Sequence, residues 1–250
     1  MLENRQYVRS ESGALQRPIY LDHHATTPVD PRVAKLVFEA MTDRFGNAHS
    51  VDHTYGQDAA ALVDNAEQQV ANLVGVTPKS VRFTSGATES TRLALAVASS
   101  RTPNLRIALT RVEHKAVLDP VRSLVRQGRA NVKWLEVDHQ GRVSLDQIEA
   151  TLANGIDLLC LMAANNEVGT IYPIEAAARL AADHGTEILV DATPAVGRVE
   201  IAADNWGIDY LVMSAHKIYG PKGSGALISP AAKTVATEEI GGHPGTLNVP

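Results

Sequence analysis

The chain has 250 residues, enough for one large domain with a sizeable core. Its net charge of −5, without a block of basic residues, argues against nucleic acid as a direct partner, and no apolar run approaches the roughly 20 residues of a membrane helix. The polar N-terminus lacks the apolar core of a signal peptide, and a single cysteine, Cys160, excludes an intrachain disulfide and a multi-cysteine metal cluster. We therefore expect a cytoplasmic protein with no membrane contact.

A polar N-terminal arm, residues 1–18, precedes short apolar runs that alternate with helical patterns. Strands are predicted at Val81–Thr84, Leu105–Thr110, Val132–Val137, Leu158–Met162, Ile188–Asp191, Tyr210–Ser214 and, antiparallel, Ser224–Ser229. Helices are predicted at about 88–98, 116–127, 145–152 and 174–184. This alternation predicts an α/β fold over residues 19–250, a three-layer sandwich with a mostly parallel sheet. Ligands of such sheets bind at the carboxyl ends of the strands.

Polar residues follow several of these strands at the point where each one ends. Segment 85–90 combines a glycine turn with a helix start, whose free backbone N–H groups suit a phosphate. The alternative there is an ordinary N-cap, with Ser85 or Thr88 as the capping residue. His114 follows the second strand and segment 165–169 the fourth. Taken alone, His114 is typical of a surface or packing histidine, and segment 165–169 is typical of a polar turn.

Two further positions point more directly to chemistry. Asp191 directly follows an apolar run, where a carboxylate is costly unless it caps a helix or pairs with a group such as a pyridinium nitrogen. Lys217 ends the tetrad 214–217 after the sixth strand. Partial burial lowers the pKa of such an amine and allows a Schiff base with an aldehyde cofactor. Five polar motifs at successive strand ends together predict one binding site.

The order and spacing of these motifs resemble the cysteine desulfurases of the class V aminotransferase group, enzymes that use pyridoxal 5′-phosphate to take sulfur from L-cysteine. The matching segments are 20–28, 46–50, 85–90, 113–119, 165–169, 191–193 and 214–223. The resemblance implies the large domain of a fold-type I pyridoxal-phosphate enzyme, with a seven-stranded type of sheet. It also implies L-cysteine as substrate, a homodimer, and a sulfur-acceptor protein or a complementing polypeptide as a further partner.

By position, the resemblance implies a role for each site residue. Lys217 forms the imine with the cofactor aldehyde and later moves the substrate α-proton. Asp191 pairs with the pyridinium nitrogen, while His114 stacks on the ring and assists proton transfer. Asn166 lies near the phenolic oxygen and the substrate. The residues implied for the phosphate are Ala87, Thr88, Ser214 and His216, with Thr246 as the match for a threonine that reaches the phosphate of the partner subunit.

The chain departs from the family pattern at three points. We expect it to lack the small domain, the substrate-binding arginine and the loop with the nucleophilic cysteine, and we expect Cys160 to be a buried, inert thiol instead. Pro194 stands where the family commonly has a glutamine that donates to the phenolic oxygen. Segment 240–246 is several residues short and lacks the family's arginine.

The sequence leaves three functions open. The chain is a desulfurase whose missing part is truncated or comes from a second polypeptide. Alternatively it is a β-lyase, which uses the same cofactor without a cysteine nucleophile, or a non-catalytic scaffold that binds the cofactor or only partner proteins. A nucleotide-binding protein is disfavoured, because the chain has neither a Walker loop nor a G-x-G-x-x-G motif.

Overall fold

The computed structural model describes residues 18–229, preceded by the backbone of two short antiparallel strands, β1 (Val8–Arg9) and β2 (Leu15–Gln16). Thr246 and the rest of segment 240–246 lie outside the described residues. Among the helices in the described part of the chain, none combines the length and apolarity that a bilayer crossing requires.

Seven strands form one sheet in the order β3-β9-β8-β7-β6-β4-β5. They are β3 (Val81–Thr84), β4 (Leu105–Thr110), β5 (Ala130–Leu135), β6 (Leu158–Met162), β7 (Glu187–Asp191), β8 (Tyr210–Ser214) and β9 (Gly225–Ile228). Strands β4 to β8 pair in parallel, whereas β9 is antiparallel to both of its neighbours. The predicted α/β fold with a mostly parallel, seven-stranded sheet is confirmed, including the antiparallel last strand.

Helices cover both faces of this sheet. They are α1 (Pro31–Thr42), α2 (Thr54–Val74), α3 (Ala87–Arg101), α4 (Lys115–Arg126), α5 (Leu145–Leu152), α6 (Ile174–Asp183) and α7 (Ala203–Trp206). One core contains side chains of α2, α5 and α6, and the other contains side chains of α3 and α4. The three-layer arrangement therefore rests on two separate apolar cores, one on each side of the sheet.

Strand β6 shows how the sequence supplies both cores. Leu159 and Leu161 belong to the core beneath α5 and α6, whereas Leu158 and Cys160 belong to the core beneath α3 and α4. Because successive side chains alternate between two covered faces, the strand appears in the sequence as a continuous apolar run. Cys160 is fully buried, as expected, and burial together with nearby Glu113 raises the pKa of its thiol.

The main differences from prediction lie before β3 and at β5. No helix is predicted before β3, yet α1 and α2 occupy this region. Helix α1 has no buried residue, and its large side chains Leu36, Phe38 and Met41 are 50%, 65% and 74% exposed. Strand β5 begins two residues earlier than predicted, because Ala130 pairs with the first residue of β4.

Candidate functional site

One cavity of about 400 Å³ opens at the carboxyl ends of the parallel strands. Residues that follow β3, β4, β6, β7 and β8 line it, as the position of ligands in such sheets predicts. It brings together eight of the nine predicted site residues: Ala87, Thr88, His114, Asn166, Asp191, Ser214, His216 and Lys217. Segments distant in the sequence thus converge on a single site.

The start of helix α3 forms one wall of the cavity. Gly86 is the N-cap residue, with a φ of 149°, and no side chain caps the helix. The first backbone N–H groups of a helix have no intrahelical acceptor, and at α3 they lie in the cavity lining, at the positive end of the helix dipole. Ser85 instead donates from N and Oγ to Glu89 Oε2, at 2.6 and 2.7 Å. The capping alternative for Ser85 and Thr88 is wrong, and the uncapped helix start suits an anion.

Close backbone packing holds this helix start in place. A Cβ atom on Gly225 would lie 2.5 Å from Gly86 Cα and 2.6 Å from the carbonyl oxygen of Met213. Both contacts are to backbone, which cannot rotate away as a side chain could. Position 225 therefore requires glycine if strand β9 is to pass directly behind the turn at Gly86.

Substitution of Gly225 should reveal this constraint. We expect Gly225→Ala to lower the free energy of unfolding by about 2 kcal/mol, because an extra methyl group in a packed site forces the backbone apart. Urea unfolding followed by circular dichroism measures the change. Ser224→Ala, at a partly exposed neighbouring position, should leave the midpoint nearly unchanged. Equal midpoints for the two variants would contradict the packing argument.

Asp191 ends strand β7 on the cavity floor. Its side chain is buried, with the residue 3% exposed, and Oδ1 accepts a hydrogen bond from the N–H of Thr193 at 3.0 Å. None of the ion pairs among the described residues involves Asp191. A buried carboxylate at a cavity wall favours a cationic group inside that cavity.

Lys217 ends the 3₁₀ turn Ala215–Lys217 that follows β8. Its Nζ donates to the carbonyl oxygen of His24. Burial lowers the pKa of this amine, Arg198 lowers it further, and the charge of Asp191 acts in the opposite direction. A lowered pKa increases the fraction of neutral amine, which is the form that attacks an aldehyde.

The N-terminal segment fixes the turn that carries Lys217. Thr27 donates from N and Oγ1 to the carbonyl oxygen of His216, at 2.8 and 3.0 Å, and its Oγ1 accepts from the N–H of Tyr219 at 2.8 Å. Thr26 Oγ1 lies 3.2 Å from Nδ1 of His216. Burial, Lys217 and Lys222 lower the pKa of His216. Thr26 and Thr27 thus position a turn about 190 residues away.

His114 and Asn166 complete the wall opposite the turn. Nδ1 of His114 accepts from the N–H of Ala116 at 3.1 Å and so caps helix α4. In the neutral ring the proton is therefore on Nε2. Asn166 lines the cavity, while the preceding Asn165 is structural, because its Oδ1 accepts from the backbone N–H groups of residues 167 and 168.

A family model described as "Aminotransferase class-V" matches residues 19–245. The chain belongs to the class-V aminotransferase family. Curated relatives include the "Cysteine desulfurase IscS" of Anaeromyxobacter sp. (strain K), 40% identical over an alignment of 243 positions that covers 93% of this chain and 60% of the relative. The protein of the same name from Acinetobacter baumannii (strain AYE) is 43% identical over 92% of this chain and 58% of its own length. The chain thus spans about 60% of the relatives it matches.

Two solved structures share the fold. One, described as "NIFS-LIKE PROTEIN", has a TM-score of 0.80 and 36% identity, over 85% of this chain and 59% of the other. A second, "SspA in complex with cysteine", has a TM-score of 0.79 and 30% identity, over 84% and 60%. These relatives place the chain beside the cysteine desulfurases, and the class-V family depends on pyridoxal phosphate.

The cavity residues fit this class-V cofactor. The uncapped start of α3 suits its phosphate, the buried carboxylate of Asp191 suits its ring nitrogen, and the amine of Lys217 suits its aldehyde. Pro194 lines the cavity without a side-chain donor, and the buried Oγ1 of Thr193 has no hydrogen-bond partner among the described residues.

Proposed function

We propose that this chain binds pyridoxal 5′-phosphate through Lys217 and performs the cofactor-dependent part of a cysteine desulfurase reaction. The observation that carries the proposal is the convergence of Lys217, Asp191 and the start of α3 on one cavity. The cofactor, when bound, supplies an electron sink for cleavage of the substrate Cα–H bond. Asp191 would hold the ring nitrogen, and Thr88, Ser214 and α3 the phosphate. Nζ of Lys217 would accept the α-proton.

His114 and Asn166 have supporting roles in this proposal. The His114 ring is held by its bond to the N–H of Ala116, so its flat face can pack on the pyridine ring. Its Nε2–H can donate a hydrogen bond in the cavity. Asn166, also on the cavity wall, would bind the phenolic oxygen or the substrate. In this way Asn166 would supply the donor that Pro194 lacks.

We propose L-cysteine as the substrate. Support comes from the relatives named cysteine desulfurase and from the structural relative described in complex with cysteine. Removal of sulfur to a protein persulfide requires an accessible thiolate. Cys160, the one cysteine of the chain, is fully buried with a raised thiol pKa. The accepting thiol would therefore lie outside these 250 residues, on a complementing polypeptide or a sulfur-acceptor protein.

We further propose a cytoplasmic homodimer that binds such a polypeptide. Leu36, Phe38 and Met41 of α1 are exposed among the described residues, and such large apolar side chains support a protein-binding surface there. A helix of 12 residues is only marginally stable alone in water, so burial of these side chains would stabilise it. The cytoplasm is supported by the single unpaired cysteine. Light scattering of the purified chain, alone and with a candidate partner, measures the assembly.

The cofactor proposal is tested by trapping. The protein is incubated with pyridoxal phosphate, reduced with borohydride, digested and analysed by mass spectrometry. We expect a reduced adduct on Lys217 and an absorbance band of the bound cofactor before reduction. A protein that cannot be loaded would contradict the proposal and favour a scaffold.

Turnover separates the desulfurase from the β-lyase. With L-cysteine and a reductant, we expect the loaded chain alone to produce almost no sulfide or alanine, because Cys160 is inaccessible. Sulfide with alanine in high yield would show that no external thiol is needed. Sulfide with pyruvate would instead identify a β-lyase. The β-lyase is the second candidate because it needs no cysteine nucleophile, and Cys160, the one cysteine of the chain, is inaccessible.

A further inference from the structure

Glu113 is a buried carboxyl group for which the proposed function has no use. It lies in the loop after β4, immediately before His114, and is only 4% exposed. Its Oε1 accepts a hydrogen bond from Thr110 Oγ1 at 3.0 Å. Its Oε2 is buried without a hydrogen-bond partner among the described residues. A carboxyl group in this position needs a physical explanation, because carboxylates are rarely buried unless paired.

The groups around Glu113 favour its uncharged form. Asp191 at the end of β7 is the charged neighbour, while Cys160 on β6 and Tyr172 after β6 are neutral near pH 7. Burial raises the pKa of Glu113 to about 8, and the charge of Asp191 adds to this effect. The hydrogen bond from Thr110 lowers this pKa, and the nearby backbone N–H of Met162 lowers it by a smaller amount. Two carboxyl groups buried near each other cannot both ionise at low cost.

The loop that Glu113 anchors also carries parts of the cofactor site. The carbonyl oxygen of Val112 accepts from Asn165 Nδ2 at 3.3 Å, which connects this loop to the loop after β6. His114 lines the cavity and is held by Ala116. Met162 and Asp191 are paired neighbours of β6 and β7 and form the cavity floor. The Glu113 carboxyl therefore lies between the wall that presents His114 and the floor that presents Asp191.

We propose that Glu113 is a positioning residue: its uncharged carboxyl group anchors the loop that presents His114 and keeps a second negative charge away from Asp191 on the cavity floor. This inference rests on the proposed function, since it concerns the same site. The uncharged carboxyl acts through its hydrogen bond to Thr110 and through its volume. A charged one would repel Asp191 and push the loop toward solvent.

The first test is cofactor affinity at pH 7, measured from the absorbance of bound pyridoxal phosphate in titrations. Glu113→Gln keeps the size and the acceptor oxygen without a charge, so we expect its dissociation constant to stay within about twofold of the unsubstituted protein. Glu113→Ala should bind at least tenfold more weakly, and Glu113→Leu replaces it if the alanine variant does not fold. Glu136→Gln, at an exposed position, is the matched control. If Gln weakens binding as much as Ala, or if Ala and Leu bind normally, the proposal is wrong.

The second test uses the protein without cofactor and so separates this inference from the proposed function. The folded protein retains the Glu113 proton up to about pH 8, whereas the unfolded chain releases it near the ordinary glutamate value of 4.5. The protonated Glu113 therefore makes its full contribution to the free energy of unfolding below pH 4.5. This contribution decreases as the pH rises from 4.5 to about 8. We expect Glu113→Gln to lack this decline, so its urea midpoint should rise relative to the unsubstituted protein between pH 5 and 8.5. Parallel midpoints would overturn the inference even if cofactor binding is normal.

Discussion

Lys217→Ala should eliminate the borohydride-trapped adduct while leaving the folded protein almost unchanged. The substitution removes the only proposed covalent anchor of the cofactor, so no reduced pyridoxyl group should be recovered on any peptide. The stability cost is small, because among the described residues the amine donates to the exposed carbonyl oxygen of His24, which water can hydrate. Mass spectrometry measures the adduct, and circular dichroism measures the fold.

Lys222→Ala is the matched control for this experiment. Lys222 also lines the cavity but is exposed and lies beyond the turn that Thr27 holds. We expect its variant to retain the adduct on Lys217. An adduct of full yield in the Lys217→Ala protein would show that the cofactor is anchored elsewhere, and the site would need to be redefined.

Asp191→Asn should weaken cofactor binding about 10- to 100-fold without loss of stability. The amide oxygen can still accept from the N–H of Thr193, so the local structure should persist. The negative charge that favours a protonated ring nitrogen is lost, and hydrogen bonds to charged groups are worth about 1.5–3 kcal/mol. Equilibrium titration with pyridoxal phosphate measures the change in affinity.

Asp183→Asn, at an exposed position near the end of α6, is the control for this substitution. The unfolding free energy of Asp191→Asn should equal or exceed that of the unsubstituted protein, because Glu113 then has no charged carboxylate beside it. Unchanged affinity for the cofactor would mean that Asp191 does not contact the ring nitrogen.

The carboxyl ends of the strands could be predicted because the change from apolar to polar residues in the sequence falls at the edge of the sheet. Strands buried on both faces produce continuous apolar runs, and the sudden change to Asp191 or to segment 214–217 marks the carboxyl edge of the sheet. Helix α1 is not predicted from the sequence. None of its residues is buried, so packing on a core does not determine the spacing of its apolar residues. The helix cap at Gly86 was not predicted either, because local propensity favours Ser85 or Thr88.

Two parts of the site depend on contacts that the linear sequence does not contain. Thr27 binds the turn at His216 across 189 residues, and nothing in its own surroundings indicates this task. Glu113 is an ordinary charged residue in the sequence, where the default expectation is exposure to water. Only the parallel packing of β4, β6 and β7 places its carboxyl near that of Asp191.

The burial of Cys160 has a practical consequence for biochemistry on this protein. Maleimides and iodoacetamide require an accessible thiolate, and the folded chain offers them none, since Cys160 is 0% exposed. In a mixture with a candidate acceptor, every alkylated or persulfidated thiol detected under native conditions would belong to that acceptor. Gel-shift and isotope-labelling assays of sulfur transfer can therefore use this protein directly, because it contributes no thiol signal of its own. A cysteine-free variant is not needed as a control.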